Sequence, residues 1–149
     1  MEEKDGRSFN CAESVVIRVH RDRPLPGFSD SCMKVASNLG GGVAGFGEIC
    51  GAVSGAVMSL SLLFGTTGSE QIDEFKAQRT KSREAIKLFL QNFTDDWGSV
   101  RCSSLKAMDD GKAPQEGAHR IGTPPRNLCD TYVDWAVKKI ISVRNGFEK

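Results

Sequence analysis

The stretch from residue 40 to residue 68 constrains the fold more than any other part of the chain. Seven of the sixteen residues from 40 to 55 are glycine, and the twenty residues from 49 to 68 carry no charge. Glycine loses more conformational freedom on folding than any other residue, so this density needs a structural reason, such as positive φ or a close backbone approach. We therefore expect a glycine-rich loop that leads into a buried, apolar central helix.

Two other interpretations of this stretch are weaker. The sequence "GFGEIC" lacks the last glycine of GxGxxG, and no GK[ST] follows, so a nucleotide-binding loop is not supported. The Gly, Ser and Thr content makes the uncharged run only moderately apolar, which favours a buried helix over a membrane span. Gly51 and Gly55 are four residues apart, a spacing that lets two helices pack closely.

The rest of the chain also predicts helices. Asn10 can cap a first helix with an apolar face of Val15, Val16 and Val19, and Ser29 or Asp30 can cap a second one. Ser69 can cap a long amphipathic helix with inward positions at Ile72, Phe75, Ile86, Phe89, Leu90 and Phe93. Shorter helices are expected from Ser99 and from Asn127, with a long loop over residues 107 to 126 between them.

These elements predict an all-α fold: a compact bundle of about five to six helices around the central glycine-rich helix. A chain of 149 residues is the length of one ordinary domain, so we expect residues 1–149 to form a single domain. Trp97 and Trp135 are expected in the core or in a dimer contact.

The charge balance and the amino terminus restrict partners and location. Twenty Lys and Arg against nineteen Asp and Glu give a net charge of +1, so no charge excess favours nucleic acid or an acidic membrane surface. The start, "MEEKDGRSFN", lacks the apolar region of a secretory signal, which predicts a reducing, cytoplasmic location. Cysteines in that compartment favour catalysis, redox chemistry or metal binding over structural disulfides.

The five cysteines lie far apart in the sequence, at Cys11, Cys32, Cys50, Cys102 and Cys129, and no CxxC occurs. Closely spaced ligands, as in zinc ribbons or ferredoxin loops, are therefore absent, and a shared site requires the fold to bring distant thiols together. Each cysteine falls in the first turn of a predicted helix, where unpaired N–H groups stabilise a thiolate. Gly51 and Gly55 would let other groups, including a cofactor, approach Cys50.

Three stretches carry a resemblance to a known family: "FNCAESV", "LGGGVAGFGEICGAVSGAVMSL" and the later isolated Cys102 and Cys129. Together they resemble the C_GCAxxG_C_C family, whose members are described as redox-active. The central motif stands here as CGAxxG, from Cys50 to Gly55. The resemblance implies a small, mainly helical protein whose four characteristic cysteines are Cys11, Cys50, Cys102 and Cys129, with Cys32 as an extra one. Similar regions occur in split-Soret cytochromes, but without CxxCH this chain would share only their iron–sulfur part.

Three functions then compete. In the first, the four thiols ligate an iron–sulfur cluster, [2Fe–2S], in an electron carrier or a sensor. In the second, they cycle between dithiol and disulfide, with Cys50 as the attacking thiolate and Cys11 as its resolving partner. In the third, the protein is a non-catalytic module with a structural zinc site. The first two imply an electron-transfer or thiol partner, and neither can be ranked above the other from sequence.

Other chemistry-bearing residues are weaker candidates. His20 and His119, the two histidines of the chain, are interpreted as solvated surface residues. Glu48 is interpreted as a charge at a helix start. The Gly51 and Gly55 face also suggests helix pairing between subunits, so a homodimer is one hypothesis.

Overall fold

The computed structural model describes residues 1–111 and 128–147, the last four of these by backbone alone. A small antiparallel hairpin comes first and six helices follow: β1 (Glu3–Lys4), β2 (Arg7–Ser8), α1 (Cys11–Asp22), α2 (Asp30–Ala36), α3 (Gly51–Phe64), α4 (Ile72–Trp97), α5 (Cys102–Asp109) and α6 (Cys129–Phe147). The predicted all-α fold is confirmed, although the two-residue strands of the hairpin were not expected.

Helix α3 is the central helix, as predicted, and it packs against α1, α4 and α6. The closest approach is to α1, because a Cβ added at Gly55 would meet the Ala12 carbonyl oxygen at 2.5 Å and Val15 Cβ at 2.9 Å. The close helix packing expected at the Gly51 and Gly55 pair therefore occurs within one chain. This face is covered by α1, so it is not open for pairing between two copies. Among the helices in the described ranges, none is both long and apolar enough to cross a bilayer.

The start of α1 is fixed by the predicted cap. The Asn10 side chain accepts a hydrogen bond from the Glu13 N–H, and the Glu13 carboxylate accepts one from the Asn10 N–H, which is a complete capping box. The predicted apolar face is confirmed, since Val15, Val16 and Val19 are all buried. The predicted Ser29 cap of α2 is also confirmed.

Helix α4 differs from the prediction at its amino-terminal end. It begins at Ile72, not at Ser69, and no side chain caps it. Phe89 and Phe93 are fully buried as predicted, but Ile72 is 68% exposed, so its inward assignment was wrong. The buried positions of this 26-residue helix begin only at Ser82, so its first turns keep the apolar period although Ile72 faces solvent.

Helix α5 begins three residues later than predicted because residues 100–103 pair with the end of the glycine-rich loop. An isolated antiparallel bridge joins Ile49 to Arg101, and the Cys50 N–H donates to the Val100 carbonyl at 2.8 Å. The predicted loop over residues 107–126 starts too early, since α5 continues to Asp109. The remainder of that loop, with His119, and the predicted cap Asn127 lie outside the described residues. Trp97 is buried, which confirms it as a core residue, whereas Trp135 is partly buried and packs edge-on against Phe93 at the border of the core.

Candidate functional site

Four cysteines line one cavity of about 210 Å³. Cys11, Cys102 and Cys129 are the first residues of α1, α5 and α6, and Cys50 immediately precedes α3. The fold therefore brings together the same four thiols that the resemblance singled out. The other described residues around the cavity are Met1, Asn10, Gly41, Gly51, Ala52, Lys106 and Tyr132.

Cys32 lies elsewhere. It is the third residue of α2 and lines a separate, open apolar groove together with Met58 and Leu62. All five cysteines therefore lie in the first turn of a helix or directly before it. Helix position does not distinguish Cys32 from the other four, and only the tertiary packing does.

Cys50 and Cys102 are placed by the backbone pairing between the glycine-rich loop and residues 100–103. The Cys102 N–H donates to the Glu48 carbonyl at 2.6 Å, and the Ser103 N–H donates to the Gly47 carbonyl at 2.9 Å. The Glu48 carboxylate also accepts from the Arg101 guanidinium at 2.8 and 3.2 Å, and this pairing holds the pKa of that carboxyl below its usual range. The interpretation of Glu48 as a helix-start charge was wrong, because it lies two residues before the Cys50 cap and pairs with Arg101 instead.

Cys11 is placed by a close approach between α1 and α3. A Cβ added at Gly51 would fall far inside 3.0 Å of the Cys11 sulfur and 3.2 Å from Cys11 Cβ. Gly51 therefore leaves the room in which the Cys11 side chain lies, and it lines the cavity itself. Gly55, one turn further along α3, contacts α1 backbone and is not among the described residues around the cavity. Its predicted cofactor contact stays a prediction.

Cys129 is held by contacts that join α5 to α6. The buried Asp109 carboxylate, at the end of α5, accepts from the Tyr132 hydroxyl at 2.7 Å and from the Leu128 N–H at 3.3 Å. Because Leu128 directly precedes Cys129 and Tyr132 follows it by one turn, the two hydrogen bonds fix the first turn of α6 against α5.

The four cysteines line the cavity without forming disulfides. All five cysteines are free thiols, and they are not at disulfide distance. In the part of the chain that the structure describes, no three Cys, His, Asp or Glu side chains are grouped closely enough to hold a single metal ion. The cavity thus keeps its thiols further apart than either a disulfide or a mononuclear site requires.

Burial controls the protonation of these thiols. Cys50 is 6% exposed and Cys102 is 7% exposed. Burial raises the pKa of Cys50 to about 12, although the amides of Val53 and Ala52 point toward its sulfur and act in the opposite direction without forming a full cap. The pKa values of Cys102 and Cys129 are also raised, again mainly by burial, and the Lys106 charge opposes both shifts. Burial at Cys50 therefore outweighs the helix-start effect that was expected to favour its thiolate.

The thiols also affect one another. Negative charge on Cys11 raises the pKa of Cys50, Cys102 and Cys129, so its sulfur lies close enough to interact with all three. Four thiolates would repel strongly in such a site. A bound cationic centre reverses this balance, because a coordinating thiol is deprotonated outright.

Two residues of the site were missed from the sequence. Lys106 follows Cys102 by four residues, a spacing that places two side chains on one face of a helix, so this signal was present. Tyr132 follows Cys129 by three residues in the same way, but nothing in the sequence indicates that Asp109 would be its partner. The interpretation as a solvated surface residue was wrong for His20, which is partly buried and whose Nδ1 accepts a hydrogen bond from the Leu25 N–H at 3.0 Å. His119 lies outside the described residues.

The comparison with family models bears on this cavity. A model described as "Putative redox-active protein (C_GCAxxG_C_C)" matches residues 9–143. The chain belongs to this family. The matched range includes all four cysteines of the C_GCAxxG_C_C pattern and the helices that carry them. No curated protein and no solved structure matches the chain significantly.

Proposed function

We propose that Cys11, Cys50, Cys102 and Cys129 together ligate one iron–sulfur cluster, [2Fe–2S], and that the protein serves as an electron carrier or a cluster-based sensor. The observation that carries this proposal is the spacing of the thiols. All four line one cavity of about 210 Å³, yet they are too far apart for a disulfide or for a single ion. Thiolates are the ligands that hold such clusters, usually four per cluster.

The spacing favours the cluster over structural zinc. With Zn–S bonds of about 2.3 Å, four tetrahedral thiolates lie about 3.8 Å from one another. No set of three side chains in residues 1–111 and 128–147 approaches that closely enough to hold an ion. A [2Fe–2S] cluster takes its four thiolates as two at each iron, so it does not require three of the sulfurs to meet at one ion.

The electrostatics of the cavity suit an anionic group. Four helix starts converge on it, and each directs the positive end of a helix dipole toward the cavity. Lys106 adds a full positive charge at the edge of the cavity. A cluster with four thiolates carries net negative charge, which these groups offset.

Within this proposal, a bound cluster supplies reversible one-electron chemistry. The chain's own residues would bind the cluster, orient it and shield it from water. The amides of Ala52 and Val53 are directed at the Cys50 sulfur, and such N–H groups stabilise thiolate charge and influence the reduction potential. Tyr132 and Ala52, both buried, keep water from the inner wall. Gly51 keeps the Cys11 sulfur in place against α3.

The dithiol alternative has less support. A thiol with a pKa of about 12 is almost entirely protonated at neutral pH, so Cys50 would be a poor attacking group.

The proposed partners of the protein are electron-transfer proteins, and the proposed location is the reducing cytoplasm.

The test is the visible absorption of protein purified without oxygen. Brown protein with sulfur-to-iron charge-transfer bands supports the proposal. Colourless protein with stoichiometric zinc would support the scaffold instead, and metal-free protein that loses two thiols on mild oxidation would support the dithiol. Either of those two results overturns the cluster.

A further inference from the structure

A second and larger cavity is lined by none of the four cysteines. It has a volume of about 640 Å³ and is formed by the amino-terminal hairpin, α1 and α2. We call it the N-terminal cleft. Its lining residues are Glu2, Glu3, Lys4, Phe9, Glu13, Ile17, His20, Arg21, Phe28, Asp30 and Met33. None of the four cysteines takes part, and the volume is within the range of about 300–1,000 Å³ that is usual for small-molecule sites.

The floor of the N-terminal cleft is apolar and incompletely covered. Phe9, Ile17, Phe28 and Met33 come from three different segments, and each of them is only partly buried. Apolar side chains that converge on one concave surface gain free energy when a ligand removes them from water.

One wall of the cleft is held rigid. The His20 ring stacks on Phe28 with centroids 3.9 Å apart and planes 12° from parallel. The Leu25 N–H donates to His20 Nδ1 at 3.0 Å, which fixes the orientation of the imidazole and so of the ring stacked on it. A wall fixed in this way needs little reordering when a ligand binds.

The rim of the cleft is acidic. Four carboxylates and two cations line it, for a net charge of −2 with His20 neutral. Glu2 is paired with Arg21 and Arg18, and Glu13 accepts from the Asn10 N–H. Glu3 and Asp30 have no ion pair or hydrogen bond of their side chains within the described ranges, so their negative charges remain uncompensated.

From the aromatic floor and the uncompensated carboxylates we infer that the N-terminal cleft binds a small amphipathic amine, with an aromatic or bulky apolar body on Phe9 and Phe28 and an ammonium group near Asp30 and Glu3. This site is independent of the proposed cluster. Charge complementarity selects an ammonium over a neutral or anionic head group.

The test is a titration of the full-length protein with phenethylamine, monitored by ¹H–¹⁵N correlation spectra. We expect saturable shifts at amides of residues 9–33 with a millimolar dissociation constant, as an open site for a small ligand allows. The uncharged analogue 2-phenylethanol should bind more weakly and phenylacetate most weakly. Absence of saturable shifts, or equal binding of the three compounds, overturns the inference.

Variants separate the charge effect from a general one. Asp30→Asn should weaken phenethylamine binding roughly two- to fivefold, which is the effect of losing one partly exposed ion pair. Glu3→Gln, on the exposed hairpin, should act in the same direction and remains informative if Asp30→Asn disturbs α2. The matched control Asp95→Asn removes an equal charge from α4, outside the cleft. If both test variants bind like wild type, or if the control weakens binding equally, the inference is wrong.

Discussion

Replacing Gly51 by alanine puts a methyl group where the Cys11 sulfur lies. The new Cβ would fall far inside 3.0 Å of that sulfur, whereas its next contacts, Cys11 Cβ at 3.2 Å and the Ala12 nitrogen at 3.3 Å, need only small shifts. The obstacle is therefore the end of one side chain. Cys11 can rotate about χ1 to avoid it, but the rotation moves its sulfur out of the position from which it lines the cavity.

The cost of this change to the fold should be small. An off-rotamer or re-rotated side chain costs about 0.5–1.5 kcal/mol. Alanine in a helix is favoured over glycine by up to about 1 kcal/mol, which offsets most of that cost. We expect the free energy of unfolding of Gly51→Ala to stay within about 1 kcal/mol of wild type, while iron and sulfide binding falls severely.

Gly55→Ala is the matched control, because the same substitution one turn later meets backbone. The Ala12 carbonyl oxygen at 2.5 Å and Val15 Cβ at 2.9 Å cannot rotate away, so α1 and α3 must separate. Overpacking of this kind costs about 1–3 kcal/mol, and we expect the upper end before the alanine preference is subtracted. Gly55→Ala should therefore lose about 2 kcal/mol of stability in urea unfolding of the ligand-free protein.

The assay measures two quantities for each variant: the urea midpoint without iron, and the iron and sulfide retained after anaerobic reconstitution. Gly51→Ala should lose the cluster and keep its midpoint, and Gly55→Ala should show the lower midpoint. A Gly51→Ala protein that retains the cluster like wild type would refute the placement of Cys11 at the cavity.

Three further predictions concern the supports of the site. The pKa of Cys50 is raised from 9.0 to about 12, so above pH 9.0 the unfolded chain loses a proton that the folded protein keeps, and stability must fall as pH rises toward 12. Urea unfolding of the reduced, ligand-free protein should show this fall. Cys50→Ala should reduce the slope of the unfolding free energy against pH by up to about 1.4 kcal/mol per pH unit. An unchanged slope in the variant would contradict the raised pKa of Cys50. Tyr132→Phe removes the buried hydrogen bond to Asp109 and should cost about 1.5–3 kcal/mol in the same measurement, where a loss below 0.5 kcal/mol would argue against that bond. Asn10→Ala removes the cap of α1 and the hydrogen bonds that Asn10 Nδ2 donates to the Ala36 and Ser37 carbonyls. We expect the free energy of unfolding to fall by about 1–2 kcal/mol, with lower thermal stability. A variant as stable as wild type would refute this role of Asn10.

The parts of the fold that the sequence predicted well are those decided by local rules. The Asn10 capping box needs only residues three apart, and the buried face of Val15, Val16 and Val19 follows from the helical period. The glycine-rich entry to α3 was recognisable because so many glycines in one stretch require close contacts. Local rules place each cysteine near a helix start, and the structure agrees.

What the sequence did not give depends on contacts between distant segments. The bridge from Ile49 to Arg101 delays the start of α5 and sets Cys50 beside Cys102, yet the two strands of this pairing are single residues without a pattern of their own. The exposure of Ile72 was missed for a similar reason, since periodicity describes a face and not what covers it. The raised thiol pKa values were missed because burial depends on the whole cavity, and it outweighs the local effect of a helix start.

The iron and acid-labile sulfide content of the anaerobic protein and of its five single Cys→Ser variants is the most direct test of the four-cysteine site. We predict about two irons and two sulfides per chain for wild type and for Cys32→Ser, as a [2Fe–2S] cluster requires. The variants of Cys11, Cys50, Cys102 and Cys129 should each lose most of both. If Cys32→Ser is the damaging change, or if wild-type protein binds no iron while it folds normally, the account of the cavity as a cluster site is contradicted.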